Sequence, residues 1–348
     1  METTHQVHLQ DARSMDQLEA SSIHLVATSP PYPMIEMWDD LFQDLAPESA
    51  EALAAGDGQA AFEAMHRALD PVWEEVSRVL VPGGVACVNI GDGVRSVDGT
   101  FQLWPNHGRI QQALVAAGLE PLPGILWRKP TTSPTKFMGS GMLPPRAYAT
   151  LEHEHILVLR KPGTRRLTGS DKQRRYGSAY FWEERNRWFT DLWTDLPGTR
   201  QDLGEHEARE RSAAFPLTLA YRLVQMFSLQ GDTVLDPFWG TGTTSLAALV
   251  SARSSVGYEL EPSFLEAFEH DLDHAPGLSR KLATRRLEAH EAFAARREKE
   301  GKPMGYEHEA YGFPVMTKQE TQLSLPVLDA VSEKAGGWQA THAPVAWP

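Results

Sequence analysis

The stretch "VLDPFWGTGTTSLAALVSARSSVGYELEP", Val234 to Pro262, reads as strand, glycine turn, helix, strand and acid, in that order. This succession is half of a nucleotide-binding α/β unit, whose turn brings backbone N–H groups and a helix start close to a ligand. Two common grips do not fit. No lysine follows Gly242, which excludes a phosphate-gripping P-loop, and serine stands at 245, where a dinucleotide fingerprint needs its third glycine. Glu259, ending the second strand, is placed to accept from a ribose diol, and Asp236, ending the first, to face an ammonium. A ligand with adenosine at one end and an amino acid at the other meets both acids: S-adenosyl-L-methionine. Pro237, Phe238, Gly240, Gly242 and Thr243 would line its turn. Glycines present for packing alone are the bland alternative. Asp-Pro-Phe before the turn and Glu259 after it count against that.

Outward from this unit the alternation continues. Val7 to Gln10, Ile23 to Ala27, Val85 to Ile90, Gly124 to Trp127 and His155 to Leu159 read as strands. Gln59 to Leu80 carries Phe62, Met65, Leu69, Val72, Val76 and Val79 at helical spacing and stops at Pro82-Gly83-Gly84. Asn106 to Gly118, Phe215 to Phe227 and Pro262 to Glu300 also read as helices. The fold class is therefore α/β, a doubly wound, mostly parallel sheet. Beyond Glu300 no strong period remains, and a tail draped on the body or partly disordered is expected.

A second stretch, "VATSPPYP" (Val26 to Pro33), ends a buried strand on a hydroxyl, three prolines and an aromatic ring. Prolines fix φ and remove donors, so the loop is stiff without ladder hydrogen bonds. Such a turn can aim the Ser29 hydroxyl and the Pro30 carbonyl at a substrate amine.

With both stretches in view, the chain resembles the amino-methylating DNA methyltransferases, in their permuted β class, where the catalytic loop precedes the cofactor loop. Ser29-Pro30-Pro31-Tyr32 stands as the catalytic motif and Asp236-Pro237-Phe238-Trp239-Gly240-Thr241-Gly242 as the cofactor motif. Phe215-Pro216 matches an additional cofactor-side motif, and Asp11 the acidic position that usually meets the adenine. Trp127-x-Lys129 and Glu154 follow the same order and spacing. Arg211-Ser212-Ala213-Ala214 replaces a usual His and Pro before Phe-Pro. The resemblance implies methyl transfer from S-adenosyl-L-methionine to double-stranded DNA, with Tyr32 stacking on an extruded base. Serine before Pro-Pro-Tyr implies N4 of cytosine, with N6 of adenine as the alternative; RNA methylation and a nucleotide-binding module are further readings. A cognate restriction endonuclease would be a partner of such an enzyme.

Between Arg160 and Leu203 arginines and lysines mix with aromatic residues. This segment is expected to be a target-recognition insertion, with Arg165, Arg166, Arg174 and Arg175 on DNA. It divides the chain into a catalytic half (1–159), the insertion (160–203), a cofactor half (204–275) and a C-terminal helical extension and tail (276–348). Asn89 and Asp92 either line the base pocket or cap a turn. His153 and His155 read as surface polarity, and no metal is expected.

The bulk numbers set limits. A net charge of −13 argues against nonspecific coating of nucleic acid. Cys87 is the single cysteine, so there is no disulfide framework, no cysteine zinc site and no Pro-Cys nucleophile for carbon-5 methylation. With no signal peptide and no apolar run near the roughly 18 residues of a membrane helix, no membrane is expected, and the cytoplasm is the expected compartment, with nucleoid association on DNA.

Overall fold

The computed structural model describes residues 1–129, 139–197 and 215–347. Its strands are β1 (Glu2–His8), β2 (Ile23–Thr28), β3 (Leu80–Ile90), β4 (Gly93–Val97), β5 (Thr100–Trp104), β6 (Glu120–Pro121), β7 (Ile125–Arg128), β8 (His153–Arg160), β9 (Leu192–Trp193), β10 (Thr233–Asp236), β11 (Ser254–Tyr258), β12 (Tyr306–Glu307), β13 (Pro314–Val315), β14 (Pro326–Lys334) and β15 (Gly337–Pro344). Its helices are α1 (Asp39–Leu45), α2 (Pro47–Ala54), α3 (Gly58–Val79), α4 (Asn106–Ala116), α5 (Ser170–Gly177), α6 (Trp182–Trp188), α7 (Leu217–Phe227), α8 (Thr243–Leu249) and α9 (Ser263–Lys299). The large sheet has the order β14-β15-β1-β11-β10-β2-β3-β8-β7-β9, with β6 on β8.

Strands β1, β11, β10, β2 and β3 are mutually parallel, so their carboxyl ends share one edge. Both faces of this centre are covered, which is why Leu25 to Ala27 of β2 and Val85 to Val88 of β3 are continuous apolar runs. On one face Val26 and Val88 join Phe62, Leu69 and Val76 of α3 and Ile110 of α4. On the other Leu25, Ala27 and Cys87 meet Leu219 and Leu223 of α7 and Leu246 and Leu249 of α8. The side-chain carboxylate of Asp57 accepts from Ala60 N at the start of α3. The helix ends at Val79, and Pro82-Gly83-Gly84 falls inside β3, where the pairing with β2 shifts register.

Three expectations change here, and of the two readings of the tail the one draped on the body is found. The first strand runs Glu2–His8 rather than Val7 to Gln10, because its buried face carries Thr3 and His5, which the eye reads as polar. His5 is satisfied by Thr3 and Ser255 side chains. The tail is ordered: β15 pairs antiparallel with β1 and β14 with β15, extending the sheet. Helix α9 runs unbroken through the expected boundary at 275/276.

The region from 160 is no free insertion either. Phe181 packs with Leu287, Phe313 and Val315, Glu184 holds Arg286 in a buried pair, and β9 joins the main sheet beside β7. Expected residues 198–203 of that segment, and Arg211 to Ala214, lie outside the described residues.

Candidate active site

A cleft of about 1510 Å³ opens at the carboxyl edge. Its wall includes Asp11, Ser29, Pro30, Pro31, Phe215, Asp236, Pro237, Phe238, Gly240, Thr243 and Glu259. Residues expected from two separate motifs and two isolated positions thus meet around one space. Tyr32, Pro216 and Gly242 stand behind the wall. Pro216 takes the N-cap position of α7. Gly242 has φ +79°, and a Cβ there would lie 2.4 Å from Phe268 Cδ2. The glycine is needed for the turn and for this close approach.

The two strand-end acids are held differently. Asp236 Oδ1 accepts from Thr28 Oγ1 at 2.5 Å and from Phe238 N at 3.1 Å. Burial pushes its carboxyl up to about 6, against the pull of the Thr28 and Thr244 hydroxyls. Glu259 Oε2 accepts from Gly240 N at 2.7 Å, and Oε1 from Leu260 N and Glu261 N at 2.8 and 2.9 Å. Burial raises this carboxyl as well, with the same backbone donors opposing. Glu259 therefore ties the glycine turn to the end of β11. Asp11 carries Arg13, whose N and Nε each donate to it at 2.8 Å.

Residues not anticipated from the sequence complete the wall. Met37, Trp38, Asp40, Leu41 and Asp44, from α1 and the turn before it, close one side of the cleft. Gly257 was also missed: a Cβ there would lie 2.2 Å from Trp239 Cδ1, so this glycine seats the indole, whose Nε1 donates to Ser245 Oγ at 2.8 Å. A glycine inside an otherwise regular strand was the available signal.

Behind Ser29 lies a polar network. Ser29 Oγ and Tyr32 Oη are 3.0 Å apart; Tyr32 Oη donates to Glu154 Oε2 at 3.1 Å. Asn89 Nδ2 donates to both Tyr32 Oη (2.9 Å) and Glu154 Oε2 (2.7 Å), and Lys129 Nζ donates to Glu154 Oε1 (2.8 Å). Tyr32 is only 6% exposed, with Gly91 against its ring. Its ring is covered rather than offered to a base, which departs from the expected stacking platform. Burial first, then the Glu154 carboxylate, raises its phenol well above the ordinary tyrosine value.

The alternatives left open for Asn89 and Asp92 resolve separately. Asn89 belongs to this network. Asp92 caps α4, accepting from His107 N at 3.1 Å and from the His107 ring at 2.8 Å. Asp92, His107 and His155 come close enough to suggest a metal, but the two imidazoles stack at 3.8 Å and 12°. Nearly parallel rings cannot aim their lone pairs at one ion.

The basic segment lies at the other edge. Strand β8 runs antiparallel to β3 and delivers the chain to the amino ends of the parallel strands. There Arg165 and Arg174 both grip Asp232, which is fully buried just before β10. Arg166 and Arg175 are exposed neighbours on the same segment. Of the four arginines expected on DNA, Arg165 and Arg174 are thus engaged with a buried carboxylate at the amino ends of the parallel strands, and Arg166 and Arg175 are exposed.

A parallel sheet with a glycine turn at its carboxyl edge and an acceptor loop on the neighbouring strand defines the methyltransferase class of α/β protein. Residues 23–270 match the N6 and N4 DNA methylase family, and the chain belongs to it. It is 49% identical over 327 residues to the Type II methyltransferase M.MthZI of Methanothermobacter thermautotrophicus, covering 93% of this chain and 91% of that one. It is 47% identical to M.MjaI of Methanocaldococcus jannaschii over 281 residues, 78% of this chain and 91% of the relative. Among solved structures, TTHA0409 of Thermus thermophilus, described as a DNA modification methylase complexed with S-adenosyl-L-methionine, superimposes with a TM-score of 0.61. That pair is 34% identical, over 78% of this chain and 94% of the other.

Proposed function

We propose that this protein methylates the N4 amine of cytosine in double-stranded DNA, with S-adenosyl-L-methionine as donor. One observation carries the reading: Ser29 and Pro30 open onto the same cleft as Asp236 and Glu259. The cleft also suits the donor's charge. Asp11, Asp40, Asp44, Asp236, Glu259, Glu261 and Glu266 line it. A sulfonium zwitterion is net cationic and gains from such a wall, whereas the pyrophosphate of NAD would be repelled.

The donor supplies an electrophilic methyl group; the chain supplies position. The lone pair of an exocyclic amine is delocalised into its ring, so acceptors on the N–H protons are needed to turn it toward the methyl. The Ser29 hydroxyl and Pro30 carbonyl are those acceptors. Cys87 takes no part: it is fully buried in β3, and burial pushes its thiol well up. Direct transfer is therefore favoured over a covalent adduct.

Duplex DNA would approach the carboxyl edge rather than the arginines expected to hold it. Hairpin β4–β5 leaves this edge directly after β3, and residues 139–152 precede β8 there. The two meet where Phe101 stacks on Tyr148 at 5.0 Å, and Leu103, Met142 and Leu143 of these segments are exposed. By likeness to the Type II relatives, a restriction endonuclease sharing the target site would be the partner.

Mass analysis of nucleosides from duplex DNA treated with the purified protein tests the reading. N4-methylcytosine is the expected product. N6-methyladenine alone would move the assignment to the alternative base, and no methylated nucleoside from DNA, with methyl groups on RNA instead, would overturn the substrate.

A further inference from the structure

We infer that Glu154 is a positioning residue for methyl transfer, acting through Tyr32 to fix which way the Ser29 hydroxyl points. The inference rests on the proposed methyltransferase reading. It follows from counting protons around one oxygen. Tyr32 Oη has a single proton and three partners: Ser29 Oγ, Asn89 Nδ2 and Glu154 Oε2. The amide nitrogen of Asn89 can only donate. Glu154 is met by two donors besides Tyr32, the Lys129 ammonium and the Asn89 amide. With both of these donating to it, the carboxylate faces Tyr32 as an acceptor. The Tyr32 proton must therefore point at Glu154, since otherwise two oxygen lone pairs would face each other at 3.1 Å.

That leaves Tyr32 Oη as an acceptor on its Ser29 side. The Ser29 proton goes to Tyr32, and both lone pairs of Ser29 Oγ stay free for the amine protons of the substrate. A serine hydroxyl is otherwise a rotor that could as easily present its proton, opposing the amine it should hold. The charge on Glu154, two hydrogen bonds away, removes that ambiguity. Glu154 lies two hydrogen bonds from the reacting amine, with Tyr32 and Ser29 between, so it directs the hydroxyl and does not touch the substrate.

Glu154→Gln tests this with little change of shape. Lys129 will draw the new amide oxygen toward itself, turning the Nε2 donor toward Tyr32. Tyr32 then has no acceptor on that side, its proton turns to Ser29, and the Ser29 proton is forced toward the substrate. Expected are a kcat for DNA methylation down about 100-fold, as for loss of one preorganised hydrogen bond, and unchanged S-adenosyl-L-methionine affinity, while the melting temperature falls modestly because Asn89 Nδ2 loses its acceptor as well. In a Tyr32→Phe background the relay is already cut, so adding Glu154→Gln should change kcat by less than about 2-fold. Wild-type kcat in Glu154→Gln, or a full additional loss of about 100-fold in the Tyr32→Phe background, would overturn the role. The methyltransferase reading fails on a different observation, namely no methyl transfer by the wild-type protein, which would remove this inference with it.

Discussion

Thr28 Oγ1 donates to Asp236 Oδ1 across the central pair of strands, at 2.5 Å. One hydrogen bond thus fastens the last residue of the catalytic strand β2 to the last residue of the cofactor strand β10. It fixes where the acceptor loop starts relative to where the cofactor turn starts.

Asp236 should show this coupling in its pH dependence. Its folded carboxyl, at about 6, lies above the ordinary value of 3.8. The folded state therefore binds this proton more tightly than the unfolded chain, so the contribution favours folding below about pH 4 and is lost as pH rises to about 6. The cost above that is about 2–3 kcal/mol. Asp236→Asn should raise the melting temperature of the ligand-free protein at about pH 8 and leave it nearly unchanged at about pH 4. Methyl-donor affinity of the native protein should strengthen as pH rises through about 6, and this rise should vanish in Asp236→Asn. Calorimetric titration on either side of that pH measures both.

Ser29→Ala removes the acceptor without touching the cofactor wall on the other side. Turnover should fall about 10²–10³-fold, and the donor dissociation constant should stay near that of wild type. Single-turnover kinetics on duplex DNA separate the two; equal losses in binding and turnover would mean that Ser29 serves the cofactor instead.

Glu259→Ala unhooks three backbone donors at once, Gly240 N, Leu260 N and Glu261 N. Donor affinity should drop by about 10-fold or more, the worth of one charge-assisted hydrogen bond. Hydrogen exchange at Gly240 should speed up as well. Protection of that amide unchanged in the variant would show that the turn is held by something else.

Arg165→Ala and Arg174→Ala should behave as stability variants. Each removes one of two guanidinium partners from Asp232, whose side chain is fully buried, at about 1–3 kcal/mol. Losing both approaches the roughly 3–5 kcal/mol of a broken buried pair. The salt dependence of DNA binding should not change for Arg174→Ala. A flatter slope would assign Arg174 to DNA as well as to Asp232.

The centre of the sheet was legible because local and global signals agree there. Thr233 to Asp236 and Ser254 to Tyr258 are found where the sequence puts them, bounded by a turn whose glycines permit few alternatives. The Ser29 loop and the cofactor turn could be joined into one site only because both follow apolar strands that had to lie parallel. Other parts were hidden for physical reasons. Thr3 and His5 face the interior in a hydrogen-bonded set, so no apolar alternation marks β1. Asp98-Gly99 is a strong hairpin signal, with φ of +48° and +70°, yet it joins two short strands that pair only with each other. The arginines misled because charge in a sequence does not state its partner: Asp232 is 67 residues from Arg165.

The same pairing of β2 with β10 has a temporal side. Thr28 and Asp236 are 208 positions apart in the chain. While the chain emerges from the ribosome, the finished acceptor loop waits until Thr233 to Asp236 has been made before its neighbour strand exists. Until then an apolar strand lacks its central partner, and closing so long a loop is slow. No nascent fragment ending before Glu259 holds both strand-end acids. Transfer capacity is therefore expected only once both acids have emerged, and a chain terminated before Thr233 leaves β2 with an unpaired edge.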